Sequence, residues 1–370
     1  MGKLCLIYNT APHYRSAIFK AIDKQYDCDW YFGPTLSDIK EMDTSILKNV
    51  SYYKTIGNPS KLYYKFGILK LLFKNKYNTF FALAEVRSVT DWIFFYLANK
   101  LFPKKKVYIW THGWYGKEKG IQAKLKLWLY KHVTGIFIYA NYAKELLVKE
   151  GIPAEKLFVI HNSLDYEKQI SLRNKVTSST IYSSHFGNNH PVLIFIGRLT
   201  PVKQLDMLVE AVAKMNAKGN DCNLVFVGNG SEKNKLEEKV KEYGLENQVW
   251  FYGACYDDSK NAELIHNADL CVAPGNVGLT AIHTMVFGTP VISHDDFKWQ
   301  MPEFEAIKPD ETGDFFKKGD VDSLVDVITW WLKNNSTKRD VVRQNCQNEI
   351  DKYWNPAFQM DVIKQNLKVE

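Results

Sequence analysis

From Pro191 onward, short runs of β-branched and aromatic residues alternate with stretches of helical periodicity, and this alternation constrains the fold more than any other feature. Strand-like runs occupy 191–197, 223–228, 248–253, 270–273 and 290–293. Helices open near Gln204, Ser231, Ser259 and Leu279, and a last one covers 321–332. Continuously apolar strands need cover on both faces, and helical crossovers make neighbouring strands parallel. The spacing predicts a Rossmann-like domain.

The first half repeats the theme less regularly, with candidate strands at 3–9, 28–33, 79–84, 106–113, 135–140 and 156–162. Between the halves, residues 177–191 are polar, rich in turn formers and without apolar periodicity, which places a boundary there. The expected organisation is an α/β chain with a Rossmann-like domain over 1–180, a second over 181–345, and a terminal segment, 346–370, whose helix follows a proline. With 370 residues, 46% of them apolar, two packed cores are affordable and a disordered chain is excluded. Open parallel sheets carry ligands at the carboxyl ends of their strands, so the loops there are where chemistry is expected.

Six scattered cysteines with no C-x-x-C pair argue against a disulfide scaffold or a structural zinc site and fit a reducing cytosol. The most apolar stretch, 92–102, is about half the ~20 residues of a membrane span. Residues 1–8 read as a buried strand rather than an export signal. Charge is uneven: residues 1–180 hold 28 Lys+Arg against 14 Asp+Glu, and the remainder 20 against 27. A basic half is drawn to anions such as phospholipid, nucleic acid or a phosphorylated substrate. No nucleic-acid-binding module accompanies the charge, so nucleic acid is not an expected partner.

Two turns carry the chemistry. In Gly197-Arg198-Leu199-Thr200-Pro201-Val202-Lys203 a strand end is followed by a planar cation and a mobile one, a pair suited to a diphosphate whose charge grows as it leaves. In 274–283, glycines precede an apolar helix, where backbone N–H groups can meet a phosphate; an ordinary tight turn has the same spacing. His283 lies one turn into that helix, where a neutral imidazole is either a core residue or a hydrogen-bonding partner for a ribose or phosphate oxygen. Gly228-Asn229-Gly230-Ser231 reads equally as a tight turn or a ligand contact.

These runs, with FIGRLTPVKQLDMLVEAV, LVFVGNGSEKNKLEEKVKEYGLENQVWFYGA and NADLCVAPGNVGLTAIHTMVFGTPVIS in order, resemble the nucleotide-sugar-binding domain of family-4 retaining glycosyltransferases, a group 1 family of GT-B fold. Residues 141–147 and 158–165 are similar to the segment that ends the family's acceptor domain, so the resemblance covers most of 107–335. It implies two Rossmann-like domains facing across a cleft, with the terminal helix crossing back to the first. It also implies sugar transfer from a nucleotide diphosphate donor with retained configuration, no cofactor and no required metal.

By the same resemblance, Arg198, Lys203 and His112 are the catalytic set. Gly197, Asn229, Gly253, Asn276, Gly278, Leu279, Thr280 and His283 line the donor. The family usually carries two glutamates eight residues apart around the glycine loop; here those positions hold Gly275 and His283, and Glu303 and Glu305 are candidate replacement carboxylates. The first strand also lacks the family's glycine turn, reading Asn9-Thr10-Ala11-Pro12-His13-Tyr14-Arg15 instead.

Two lysine-rich segments, 65–74 and 121–131, mix cations with apolar residues at helical spacing, a pattern of either core helices or helices at an anionic bilayer. The expected acceptor is a glycan, free or linked to a polyprenyl diphosphate. The expected location is cytoplasmic, peripheral on the inner face of the plasma membrane, in cell-surface polysaccharide or glycoconjugate synthesis. A sugar-nucleotide epimerase and a non-catalytic glycan-binding subunit are the competing readings.

Overall fold

The structure is a computed structural model that describes residues 2–34, 40–58 and 60–369. The chain forms two compact units, Met1–Asp165 with Asn355–Glu370, and Tyr166–Trp354.

In the first unit, β1 (Lys3–Tyr8), β2 (Cys28–Phe32) and β3 (Asn49–Tyr52) lie on one side of the sheet. A small antiparallel ribbon of β4 (Thr55–Gly57) and β5 (Tyr63–Lys65) follows. Then come β6 (Tyr77–Ala82), β7 (Lys106–Thr111), β8 (Gly135–Ile138) and β9 (Leu157–Val159). The main sheet is parallel in the order β3-β2-β1-β6-β7-β8-β9. Alternation along β1 shows why it is apolar throughout. Cys5 and Ile7 face a core with Phe80, Phe94, Ile109 and Leu147, while Leu4, Leu6 and Tyr8 face another with Phe19, Phe81 and Trp110. The apolar run at 92–102 falls in the helix Val89–Leu101, whose Phe94, Phe95 and Ala98 are buried against the first of these cores. No helix among the described residues is long and apolar enough to cross a membrane.

The second unit contains β10 (Val192–Ile196), β11 (Asn223–Val227), β12 (Val249–Gly253), β13 (Leu270–Ala273), β14 (Val291–His294) and β15 (Gly313–Phe316). They form one parallel sheet in the order β12-β11-β10-β13-β14-β15. All five strands expected here are present. The unexpected β15, Gly-Asp-Phe-Phe, has no apolar run to announce it, and its glycine is needed because a Cβ there would lie 1.8 Å from the Val291 carbonyl.

Both expected domain joins, 180/181 and 345/346, fall inside the second unit. The polar stretch 177–191 is not a linker, because the helix Ile181–Phe186 docks there. Tyr182 donates to the Leu264 carbonyl at 2.6 Å, and the His185 ring stacks 3.8 Å from Trp250. Arg173 makes a two-pronged pair with Asp351, 2.9 Å on each arm. The helix Arg339–Tyr353 buries Cys346 and Ile350 in the same unit. Only after Trp354 does the chain rejoin the first unit. There the helix Pro356–Asn366 places Met360 and Ile363 against the β1 core, and Gln359 donates to the His161 carbonyl at 2.8 Å.

Candidate functional site

In the second unit the strand order reverses between β10 and β13, and the turns leaving these two strands hold most of the expected residues. After β10, a short 3-10 turn, Pro201–Lys203, is joined to the helix Leu205–Ala217 by Gln204 in left-handed conformation. This turn aims Lys203 at the loop after β13, where its ammonium donates to the Asn276 carbonyl at 2.7 Å and to Asn276 Oδ1 at 2.8 Å. Lys203 Nζ also lies 3.8 Å from where a Cβ on Gly278 would stand, and Gly278 is left-handed at φ 58°. Burial pulls the Lys203 ammonium down to about 8, with nearby Arg198 lowering it further and the Glu303 carboxylate opposing both. Arg198 itself is exposed.

The loop that Lys203 contacts is tied down by hydrogen bonds. Thr280, at the start of the helix Thr280–Met285, donates to the Ile196 carbonyl at 2.9 Å, and the His283 amide donates to the Leu279 carbonyl at 2.9 Å. Gln300, which sequence reasoning passed over in favour of its neighbours Glu303 and Glu305, accepts from the Val277 amide at 2.9 Å. Its own amide donates to Ser293 Oγ at 2.7 Å and to the His294 carbonyl at 3.0 Å, and Ser293 Oγ donates to the Ala273 carbonyl at 2.8 Å. Its burial is seen only in the structure; the sequence offered no more than a glutamine in the loop after the predicted strand 290–293.

The glycine at position 275 now has a physical reason. A Cβ there would fall 2.0 Å from the Val202 carbonyl oxygen, so with the 201–203 turn in this place no side chain fits where the family usually has glutamate. Gly228 and Gly230 are constrained likewise, by the Gly197 and Leu199 carbonyls at 1.8 and 2.2 Å. Asn229 is exposed; its carbonyl accepts from Leu199 at 2.9 Å and its side chain accepts from the Gly230 amide at 2.8 Å. Gly253, left-handed at φ 89°, closes β12 and accepts from Gly228.

His283 is half-buried against the Phe287 ring, and burial lowers it to about 4, with the Asp258 carboxylate opposing. It is neutral at pH 7. Glu303 is buried on the turn Pro302–Ala306, within electrostatic reach of Lys203, and Glu305 on the same turn is half-buried. Among the described residues no three or more His, Cys, Asp or Glu side chains are grouped to hold a metal ion.

His112 belongs to the first unit. It sits just past β7, beside a cavity of about 290 Å³ at the carboxyl ends of β1, β6 and β7, where that sheet reverses its own strand order. Burial lowers His112 to about 4, with Arg15 and Lys126 adding to the effect. Its ring packs 5.0 Å from Tyr139, and left-handed Gly113 follows it.

Residues 180–349 match the family model of glycosyl transferases group 1. Over that stretch the chain is similar to the group 1 glycosyltransferases. The stretch contains every expected second-unit residue, from Gly197 to Glu305. Among curated relatives, an uncharacterized glycosyltransferase of Methanocaldococcus jannaschii is 28% identical over 178 residues, 47% of this chain and 45% of its own length. A poly(ribitol-phosphate) alpha-N-acetylglucosaminyltransferase of Staphylococcus aureus is 24% identical over 197 residues, 51% of this chain and 39% of its own length. The match thus spans less than half the length of these two relatives.

Among solved structures, Anabaena HepE in complex with UDP aligns with 99% of both chains at TM-score 0.72 and 17% identity. A glycosyltransferase of Rickettsia africae aligns with 100% of this chain and 99% of its own, also at TM-score 0.72, with 15% identity. The matched stretch therefore belongs to one half of a GT-B fold built from two Rossmann-like parallel sheets.

Proposed function

We propose that this chain is a retaining glycosyltransferase that takes a sugar from a nucleoside diphosphate donor without a metal ion. The observation that carries the reading is Lys203. Its ammonium is drawn into the glycine loop by oxygens of Asn276, and it is partly desolvated, with the Arg198 charge adding to the cost of its protonated form. A desolvated ammonium beside a second, exposed cation gains from a diphosphate, and gains most when the departing group carries its full charge. The Gly275 and Val277 amides are held by the Lys203 carbonyl and Gln300, which keeps the loop in shape, and the amides of 278–280 at the start of the helix are the ones offered to a phosphate. The UDP bound by HepE supports a nucleoside diphosphate as the ligand.

In this mechanism the C–O bond between the sugar and the diphosphate breaks first, through an oxocarbenium-like state. The acceptor hydroxyl then attacks the same face and passes its proton to the leaving phosphate oxygen. Arg198 and Lys203 offset the charge that builds there. His112, neutral at pH 7, offers a hydrogen bond without adding a charge.

The acceptor reading is a surface glycan or glycoconjugate, free or linked to a polyprenyl diphosphate, supported by the activity named for the Staphylococcus aureus relative. Contact with an anionic membrane is part of this reading, and the structure narrows its basis. Lys65 is no surface cation: its Nζ is buried between Asp91 at 2.9 Å and Glu85 at 3.1 Å. Its neighbours Phe66 and Phe73 are exposed, as are Lys70 and Lys74, and on the helix Gly120–Lys131 so are Ile121, Lys124 and Lys131.

Calorimetry with UDP and GDP, followed by a transfer assay on the donor that binds, tests the proposal. Binding of neither nucleotide ends it and favours the non-catalytic glycan-binding alternative. Turnover that interconverts sugar nucleotides without transfer favours the epimerase.

A further inference from the structure

The first unit holds a buried cation that, among the described residues, pairs with no carboxylate. Arg15 is 8% exposed, and its guanidinium donates to the Tyr139 hydroxyl. It lies 5.0 Å from the Trp110 ring centre, 5.5 Å from Tyr139 and 5.8 Å from Tyr8. The groups that face its charge are the phenols of Tyr139, Tyr8 and Tyr14. Arginine cannot shed its proton to escape burial, and aromatic faces offset only part of the cost of lost water. A guanidinium held this way has unused capacity for an oxyanion.

Arg15 opens onto the cavity of about 290 Å³ that it shares with Tyr8, Thr10, Tyr14, Glu85 and His112. That volume is near the lower end of small-ligand pockets, ~300 Å³ upward. The Tyr8 hydroxyl is buried here and, among the described residues, has no hydrogen-bond partner. The lining carboxylate is already engaged: Glu85 is held by Lys65 Nζ at 3.1 Å and by the Tyr63 hydroxyl. The second unit has its own cations at its own strand reversal, so a donor diphosphate is provided for without Arg15.

We propose that this cavity receives an acceptor bearing an oxyanion, a phosphate or a carboxylate, and that Arg15 recognises it. The proposal rests on the glycosyltransferase reading for its assignment to the acceptor. The anion site itself is testable without that reading.

The test uses the full chain carrying Arg198→Ala and Lys203→Ala, which removes the second unit's cations. Inorganic phosphate, glucuronate and, as a neutral control, glucose are titrated by calorimetry. Saturable binding of phosphate or glucuronate is expected, at least tenfold weaker when Arg15→Met is added and largely kept with Arg15→Lys. The two anions distinguish a phosphorylated from a carboxylated acceptor. An anion affinity unchanged by Arg15→Met, or glucose binding as tightly as glucuronate, overturns the proposal.

A measurement on the unaltered chain covers the case in which Arg15→Met fails to fold. An anion on Arg15 relieves the repulsion that Arg15 exerts on His112, so the NMR-detected pKa of His112 rises when the tighter-binding anion is present at saturation. A pKa that does not move rejects the site. UDP titrated into the unaltered chain reports on the donor site separately, so either reading can fail without the other.

Discussion

Where strand order reverses in the second unit, successive turns pass so close that positions 228, 230 and 275 admit no Cβ; at the matching reversal in the first unit, rings stand around an open cavity. The first of these mouths is made of backbone, with the Lys203 ammonium bonded to it. The second is made of side chains: Tyr8, Tyr139 and Trp110 enclose Arg15. A backbone cradle suits a group that every donor shares, such as a diphosphate, whereas a side-chain cavity can be rebuilt for a particular acceptor.

Removing the cations strikes hardest at the backbone mouth. Lys203→Ala or Arg198→Ala is expected to lower kcat for transfer by ~10²–10³, the usual loss for one charge-stabilising group. An unchanged kcat in both variants, with donor binding verified, would show that the mouth does not do the chemistry.

Next in size is crowding. Gly275→Ala forces a methyl against the Val202 carbonyl and should cost ~1–3 kcal/mol in urea unfolding, together with donor affinity. Full stability in that variant would mean that the two turns are less closely packed than the contrast requires.

A pH series is more delicate. Because the Lys203 ammonium in the free protein sits at about 8 and a bound diphosphate favours its protonated form, UDP affinity should fall about tenfold between pH 7 and pH 9. Lys203→Arg should flatten that dependence in calorimetry. Stability runs the opposite way. The unfolded chain holds this proton more tightly, so the Lys203 contribution to folding improves as pH rises from about 8 toward the ordinary lysine value of 10.5.

The smallest effect is expected at Asn229, whose side chain serves the Gly230 amide: Asn229→Ala should change stability by less than ~0.5 kcal/mol. A tenfold loss of UDP affinity in this variant would instead make Asn229 a donor contact.

The backbone mouth was largely legible from sequence, because glycines and cations at strand ends are local signals. Arg198, Lys203, Asn276 and Gly278 fall on the two turns that flank the reversal. Why Gly275 replaces a glutamate was not legible, since the clashing carbonyl belongs to Val202, some seventy residues earlier. The side-chain mouth was nearly opaque. Arg15 stood in a stretch noted only for lacking glycine, and the rings around it come from residues 8, 110 and 139, which nothing in one dimension connects. Lys65 misled for a related reason: a lysine in an amphipathic pattern looks solvated until Asp91 and Glu85 are seen to enclose it. The boundary near 180 failed because polar residues also build docked helices, as His185 on Trp250 shows.

The helix Pro356–Asn366 completes a core begun by the very first strand, with all of Tyr166–Trp354 intervening. On the ribosome, β1 and its neighbours therefore wait for 189 further residues before Met360 and Ile363 can seal them, about 10–40 s at ~5–20 residues per second. The later-made unit is contiguous and can fold first, leaving the earlier one exposed to chaperones and proteases until that helix has been made.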